Sequence, residues 1–464
     1  MPSLEQLDRR FVWHPFTQMR DWRKREPIVI VSGRGAVLRD ARGREYLDAN
    51  SSIWTNLHGH RHPAIDSALK RQLGKIAHCS ALGLASEPAS LLAEKLVRAA
   101  NPTRGGRLAH AFYSDDGSTA IEAALKMAYE YARRTASSRA PRFLSLGSAY
   151  HGDTIGAVSL GHIDLFHQAY RGLLFKSDRA FTPFCYRCPF NRARPERADA
   201  RAWRKCNWEC TASFEKQVAA RAKKGNPYAA FVFEPLMQGA AGMTPQPEGW
   251  LRRVAEIARG SGALLIADEV MTGFGRTGSM FACQKESVTP DLMALAKGMT
   301  GGYLPMAATL ASRAIFNVFL GEYAEFKTFF HGHSYTANPL GAAASLASLR
   351  LLESTASVRA RAQLQKALAE TLQTLWSLPQ VGDIRQVGLI AGVELVKNWR
   401  TREPFPARER VGGRVCEAMA RRGVLTRPAG NVIVIMPPYC TTPAQVRDIV
   451  AALREGVVEV CGPL

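Results

Sequence analysis

The stretch from Leu264 to Gly302, LLIADEVMTGFGRTG…PDLMALAKGMTGG, constrains the fold of this chain more than any other. An apolar run closes on Asp268, and twenty-nine residues later Lys297 stands directly before a glycine-rich turn. Leu264 to Asp268 reads as a buried strand, a helical pattern from Pro247 to Gly260 precedes it, and Ala229 to Glu234 reads as a further strand before that helix. Strands alternating with helices predict a parallel α/β sheet. A carboxylate and an amine in this setting also match the needs of pyridoxal phosphate chemistry. The carboxylate keeps the pyridine nitrogen protonated so that the ring draws electrons from a substrate Cα, and the amine bonds the cofactor and then carries the proton. Asp268 and Lys297 are the candidates.

The same stretch contains a competing pattern. Gly273, Gly275 and Gly278 spell G-x-G-x-x-G after the strand, which is a dinucleotide-binding arrangement when it opens a crossover helix. Here SMFACQKESVTPD follows, and Pro290 interrupts before a long helix could return to the sheet. A tight glycine turn beside the active site is the better reading.

A length of 464 residues predicts two or three packed units, and 46% hydrophobic with 22% charged residues fits a soluble globular protein. No apolar run reaches the 18 or so residues of a membrane span, and MPSLEQLDRRFVWHPF has no continuous apolar core of a secretory signal, so a cytoplasmic location is expected. The 61 basic and 40 acidic residues give +21. The bases scatter, and no nucleic-acid motif accompanies them. The one dense run, Arg187 to Lys205, is poor in interleaved stacking aromatics, with Trp203 the one among its later arginines, so a solvated arginine-rich insertion is favoured over an RNA site. Nine cysteines argue against a disulfide framework. Cys185, Cys188, Cys206 and Cys210 have a loosely zinc-like spacing, but the arginine-rich interval is unlike a compact knuckle, and no metal is expected.

Short strands are predicted at Ile28 to Val31, Ala36 to Arg39 and Glu45 to Asp48, separated by glycine turns. The chain divides into an N-terminal arm with small-domain strands (1–65), a large cofactor domain (66–340, with a Cys/Arg-rich insertion at about 176–212) and a smaller α+β domain (341–464). In the large domain, Ser118 to Thr135 is a predicted helix and Arg142 to Leu146 a strand. In the last part, helices run to Glu353 and to about Leu378, strands fall at Leu389 to Leu395 and Val432 to Met436, and a helix starts at Pro443.

Three further constellations surround the Asp–Lys pair. Ser114 to Thr119 opens a strongly helical segment, where free backbone N–H groups could hold a phosphate or make a plain N-cap. Tyr150-His151-Gly152-Asp153 follows a strand, and its aromatic could stack on a flat ring or simply pack. Phe329 to Tyr335, with two histidines, suits a second phosphate grip or a metal. Glu234 ends a strand, where ligand sites of open α/β sheets gather.

With these residues in view, the chain resembles the class III, fold-type I pyridoxal phosphate-dependent aminotransferases over nearly its whole length. LLIADEVMTGFGRTG, ALAKGMTGGYLP and YHGDTIGAVS carry the class resemblance. WHPFTQM at 13–19, SSIWTNLHGH at 51–60 and RPAGNVIVIMPPY at 427–439 resemble the branch that aminates 8-amino-7-oxononanoate in biotin biosynthesis. The resemblance implies a homodimer with shared active sites and pyridoxal 5'-phosphate as cofactor. It implies Lys297 as the covalent and proton-carrying amine, Asp268 on the pyridine nitrogen, Tyr150 on the ring and facing substrate, and Gly117 and Ser118 on the phosphate. His333 and Ser334 of a second copy would complete the phosphate grip, with Gly332 beside the substrate. Arg427 would bind the acceptor's carboxylate bidentately. Phe16, Ile53 and Trp54 would line the substrate pocket. The donor that the resemblance implies is adenosylmethionine or lysine; typical adenosylmethionine-using members carry a tyrosine at the place of Phe16 and a second tryptophan at Ile53, and these departures point toward the lysine-using branch. A diamine or ω-amino acid aminotransferase would share Asp268 and Lys297 without needing WHPFTQM or the RPAG arginine. An RNA-binding protein, or a decarboxylase or mutase on the same cofactor, are further alternatives.

Overall fold

The computed structural model of the protein describes residues 2–102, 106–135 and 140–462. Uninterrupted apolar runs such as AFVF, LLIA and LMAL become strands buried on both faces, as in parallel sheets covered by helices. Seven strands form the main sheet in the order Leu108–Ser114, Ala307–Ser312, Leu292–Leu295, Leu264–Asp268, Ala230–Phe233, Phe143–Leu146 and Asp178–Ala180. Ala307–Ser312 runs antiparallel to both its neighbours; the other adjacent pairs are parallel. The mostly parallel α/β sheet expected from the sequence is therefore present. Helix Gly117–Arg134 packs against it through Ala120, Ile121, Ala124, Leu125 and Ala128 at helical spacing, its alanines permitting close approach.

Beside the short pair Met237–Gln238 and Thr244–Pro245, two further sheets accompany the large one among the described residues. The meander Ile30–Arg34, Val37–Asp40 and Glu45–Asp48 is extended by Val424–Leu425, which pairs parallel to Glu45–Asp48. The N-terminal strands thus share a sheet with the C-terminal part of the chain. The other sheet joins Val381–Val387, Ile390–Asn398, Val432–Ile435 and Pro428–Ala429, with Glu403–Pro404 alongside Ile390–Asn398. Helix Pro443–Cys461 packs on Val411–Arg421 and Thr355–Gln373.

The strands Leu108–Ser114, Ala307–Ser312 and Val381–Val387 have no counterpart in the sequence reading. AATLAS is built from small residues of weak strand preference, and only burial in the sheet makes it a strand. The arginine-rich segment also differs from expectation. It is not a freely solvated insertion but is bolted to the C-terminal part of the chain: Arg187 pairs with Glu394, Arg197 donates to the carbonyls of Trp376, Leu378 and Val381, and Arg201 donates to the Gln386 carbonyl at 2.8 Å. Cys185 and Cys210 are buried, and all nine cysteines are free thiols. Among the described residues, no group of three or more His, Cys, Asp or Glu side chains is placed to hold a metal. Gly273, Gly275 and Gly278 lie in consecutive turns, followed only by the short 3₁₀ turn Ala282–Glu286. The crossover helix that a dinucleotide site would require is missing there. No helix among the described residues is long and apolar enough to cross a membrane.

Candidate active site

The ends of neighbouring strands deliver the chemistry. Asp268 closes Leu264–Asp268, Glu234 follows Ala230–Phe233, the Tyr150–His151 turn follows Phe143–Leu146, and Lys297 follows Leu292–Leu295. All five residues line one cavity of about 1430 Å³ at the carboxyl ends of the parallel strands, where open α/β sheets place ligands. Gly117, Ser118, Phe16, Ile53, Trp54 and Arg427 line it too.

Asp268 is buried, with Oδ2 at 2.7 Å from His151 Nδ1 and Oδ1 accepting the Val270 N–H at 3.1 Å. His151 is buried, and its Nε2 has no hydrogen-bond partner among the described residues. Burial disfavours the imidazolium, but the Asp268 hydrogen bond and charge outweigh it and raise the imidazole's pKa. Lys297 has φ +43, a strained backbone for a side chain of its type, and its Nζ lies 4.6 Å from the Trp54 ring centroid. Burial lowers the pKa of this amine, opposed by the charges of Asp268 and Glu234 and assisted by Arg276.

The Trp54 segment is strained as well. Ser51, Ser52 and Trp54 all have positive φ, as does Phe16. Asp48 holds this turn by accepting the N–H groups of Asn50 at 3.2 Å and Ser52 at 2.8 Å, and Trp54 Nε1 donates to Asn50 Oδ1 at 2.8 Å. Phe166 links two walls of the cavity, meeting Phe16 edge-on at 5.2 Å and Tyr150 at 6.2 Å. The Tyr150 hydroxyl donates to Asp153 Oδ2 at 2.7 Å; burial and that bond raise its pKa.

Asp116 caps helix Gly117–Arg134 by accepting the Thr119 N–H. The N–H groups of Gly117 and Ser118 have no acceptor within the helix, and with the helix dipole they form an anion cradle. Neither glycine beside this cradle tolerates a side chain: a Cβ on Gly117 would lie 2.7 Å from Val270 Cγ1, and one on Gly152 would lie 1.7 Å from Ser118 Oγ. A phosphate cradle, a buried carboxylate and a partly buried amine around one flat-walled cavity fit a phosphorylated aromatic aldehyde.

Arg427 is exposed, lines the cavity and has no ion-pair partner among the described residues. Gly332, His333 and Ser334 stand apart from the rest: none lines this chain's cavity, and His333 Nδ1 lies 2.9 Å from Asp115 Oδ2. His151 received no role from the sequence, although its place beside Tyr150 at a strand end was the available signal. The pairs Arg25–Glu417 (2.7 Å) and Arg410–Asp21 (3.2 Å), which join the N-terminal arm to helix Val411–Arg421 at the cavity wall, carried no sequence signal.

This arrangement is that of an amino-group transferase. The chain belongs to the aminotransferase class-III family, pyridoxal phosphate-dependent enzymes of fold type I, whose profile matches residues 19–457. Among its relatives is a Geobacter sulfurreducens protein named adenosylmethionine-8-amino-7-oxononanoate aminotransferase, 48% identical over 460 residues, 99% of this chain and 98% of that one. The solved structure of the Methanocaldococcus jannaschii protein of the same name superposes with a TM-score of 0.89 at 38% identity, covering 98% of this chain and 99% of that one. An amine transaminase from an uncultivated Pseudomonas species, solved in its pyridoxal phosphate-bound form, gives a TM-score of 0.88 at 32% identity, covering 97% and 99%.

Proposed function

We propose that this chain transfers an amino group to the ketone of 8-amino-7-oxononanoate, giving 7,8-diaminononanoate. The observation that carries the reading is the meeting of Lys297, Asp268, Tyr150 and the Gly117–Ser118 cradle in one cavity that is also lined by Arg427, which has no ion-pair partner among the described residues. Bound there, pyridoxal phosphate supplies the electron sink for the substrate's Cα. The Lys297 amine moves the proton at Cα, Asp268 holds a proton at the pyridine nitrogen, and Gly117 and Ser118 bind the phosphate. Tyr150 orients the ring. Arg427 recognises the acceptor's carboxylate, a role suited to a bidentate cation with no competing partner.

In the same reading the active unit is a dimer with shared sites, whose second copy supplies Gly332, His333 and Ser334. The exposed Phe330, Tyr335, Leu82 and Leu84 offer apolar surface for that contact. The division into an N-terminal arm with small-domain strands (1–65), a cofactor domain (66–340) and a small domain (341–464) is part of the proposal.

The names of the relatives specify adenosylmethionine for those proteins. In this chain, Phe16 lacks a phenol to donate a hydrogen bond and Ile53 lacks a flat face for an adenine, which favours lysine as donor. The test is a pair of half-reaction spectra on the cofactor-loaded enzyme, one with adenosylmethionine and one with lysine, each chased with 8-amino-7-oxononanoate. Conversion by either donor and reversal by that acceptor supports the reading and identifies the donor. Solved transaminases named for amine and ω-transamination share the fold at 26–32% identity. If both donors fail and a simple diamine or ω-amino acid converts the cofactor, that broader activity replaces the proposal.

A further inference from the structure

The mechanism above leaves one buried carboxyl of the cavity unused. Glu234 follows the central strand Ala230–Phe233, whose Phe233 is in register with Ala267 of the neighbouring strand. It therefore comes level with Asp268 on one side and with the turn after Phe143–Leu146 on the other. Its side chain is buried, which is rare for a glutamate that forms no ion pair with Lys or Arg among the described residues. Oε1 accepts the Tyr150 N–H at 3.3 Å, and Oε2 accepts the Gly239 N–H at 2.7 Å. Thus the carboxylate ties the start of the Tyr150–His151 turn to the end of the central strand.

Its electrostatic neighbours are the groups of the site itself. His151 and Asp268 act on Glu234, and Lys297 senses both carboxyls. On its other sides His151 faces His162 and His167, whose own pKa values burial lowers. The His151 imidazole is hydrogen-bonded to Asp268 through Nδ1 and also feels the charge of Glu234, whose carboxyl holds the amide of the preceding residue, Tyr150.

We propose that Glu234 is a positioning residue of this active site: it fixes the Tyr150–His151 turn through the Tyr150 amide and shares with Asp268 the charge of the buried His151 imidazole. By steadying the imidazolium, this second carboxylate supports the His151 hydrogen bond that directs the Asp268 carboxylate, the group that would hold a proton at the pyridine nitrogen. This use of Asp268 rests on the function proposed above; the coupling of Glu234 to His151 does not. Burial pushes the Glu234 carboxyl up to about 7, against the opposing charge of His151, so its charge changes across the neutral range.

The test uses the full-length chain labelled at histidine Cε1, with His151 assigned by its absence in His151→Gln. In the cofactor-free protein, Glu234→Gln should lower the titration midpoint of His151 by about one pH unit, the size of a single neighbouring charge. Glu234→Asp, which keeps the charge, should lower it less. In the loaded enzyme, Glu234→Gln should shift the pH dependence of kcat while changing KM for the donor less than twofold. An unchanged His151 midpoint in a folded Glu234→Gln protein overturns the proposal, as does an equal shift in Glu234→Asp. A merely structural glutamate would lower thermal stability and leave both titrations in place. If the wild-type chain takes up no pyridoxal phosphate, the functional reading fails, and the His151 titration still decides the role of Glu234.

Discussion

His151 Nδ1 lies 2.7 Å from Asp268 Oδ2, both side chains are buried, and the other imidazole nitrogen has no partner among the described residues. The hydrogen bond fixes the tautomer: Nδ1 donates to the carboxylate, and Nε2 carries the proton only when the ring is charged.

This pair has a pH signature. The folded-state pKa of His151 is raised above its unfolded value of about 6.5. Its contribution to stability is then fully present below about pH 6.5 and is lost as pH rises through the folded value. His151→Gln keeps a donor but removes the charge. In denaturation of the cofactor-free chain it should cost about 1.5–3 kcal/mol at pH 6, the worth of a hydrogen bond to a charged group, and distinctly less at pH 9.5. A cost independent of pH would remove the charge from the argument.

Lys297→Ala tests the covalent role directly. The substitution deletes a partly buried amine and relaxes nothing in the sheet, because Lys297 lies beyond the strand Leu292–Leu295. The variant should fold, bind pyridoxal phosphate without the visible absorbance of the lysine-bound cofactor, and show transamination at background level. Retained turnover without added amine would refute the assignment.

Arg427 is set up to act on ligand and on little else, since it has no ion-pair partner among the described residues. Arg427→Ala should raise KM for 8-amino-7-oxononanoate by roughly ten- to a hundredfold, the loss of a charge-assisted pair of hydrogen bonds. The donor half-reaction and the melting temperature should stay near wild type. Arg427→Lys should recover only part of the affinity, because a point charge does not match a carboxylate bidentately. An equal loss with an acceptor lacking the carboxylate would show that the guanidinium serves the fold instead.

The parts of this site carried by one local segment were legible in the sequence. Asp268 and Lys297 each stand at the end of a recognisable run, and the strand Leu264–Asp268 has the predicted limits. Glycines 117 and 152 are needed where the cradle closes, and their neighbours in sequence announce it. What could not be read were relations between distant segments. The alanine-rich strand Ala307–Ser312 acquires its state from its two neighbours, and the His151–Asp268 bond spans residues that only the sheet order brings together. The arginines at 187, 197 and 201 looked solvated because their acceptors lie about two hundred residues later in the chain.

That docking gives the last prediction. Arg385 is buried and donates to Glu394 Oε2 at 2.7 Å, to Asp383 Oδ2 at 2.9 Å and to the Gly242 carbonyl; Arg187 of the insertion reaches the other oxygen of Glu394. Two arginines thus converge on one buried carboxylate, whose pKa their charges lower although burial opposes them. Glu394→Ala leaves Arg385 with Asp383 as its remaining carboxylate partner and removes the carboxylate that Arg187 pairs with. Breaking a buried ion pair from one side costs about 3–5 kcal/mol, so the melting temperature should fall by several degrees. The insertion around Cys185–Cys210 should become the first site of proteolytic nicking, because it would keep only hydrogen bonds to the C-terminal part, those of Arg197, Arg201 and Arg402 among them, and lose its anchoring ion pair. Arg187→Ala, which removes only the half-exposed partner, should open the insertion to protease with a much smaller loss of melting temperature. Cleavage elsewhere in both variants would show that the Arg187–Glu394 contact does not fasten the insertion.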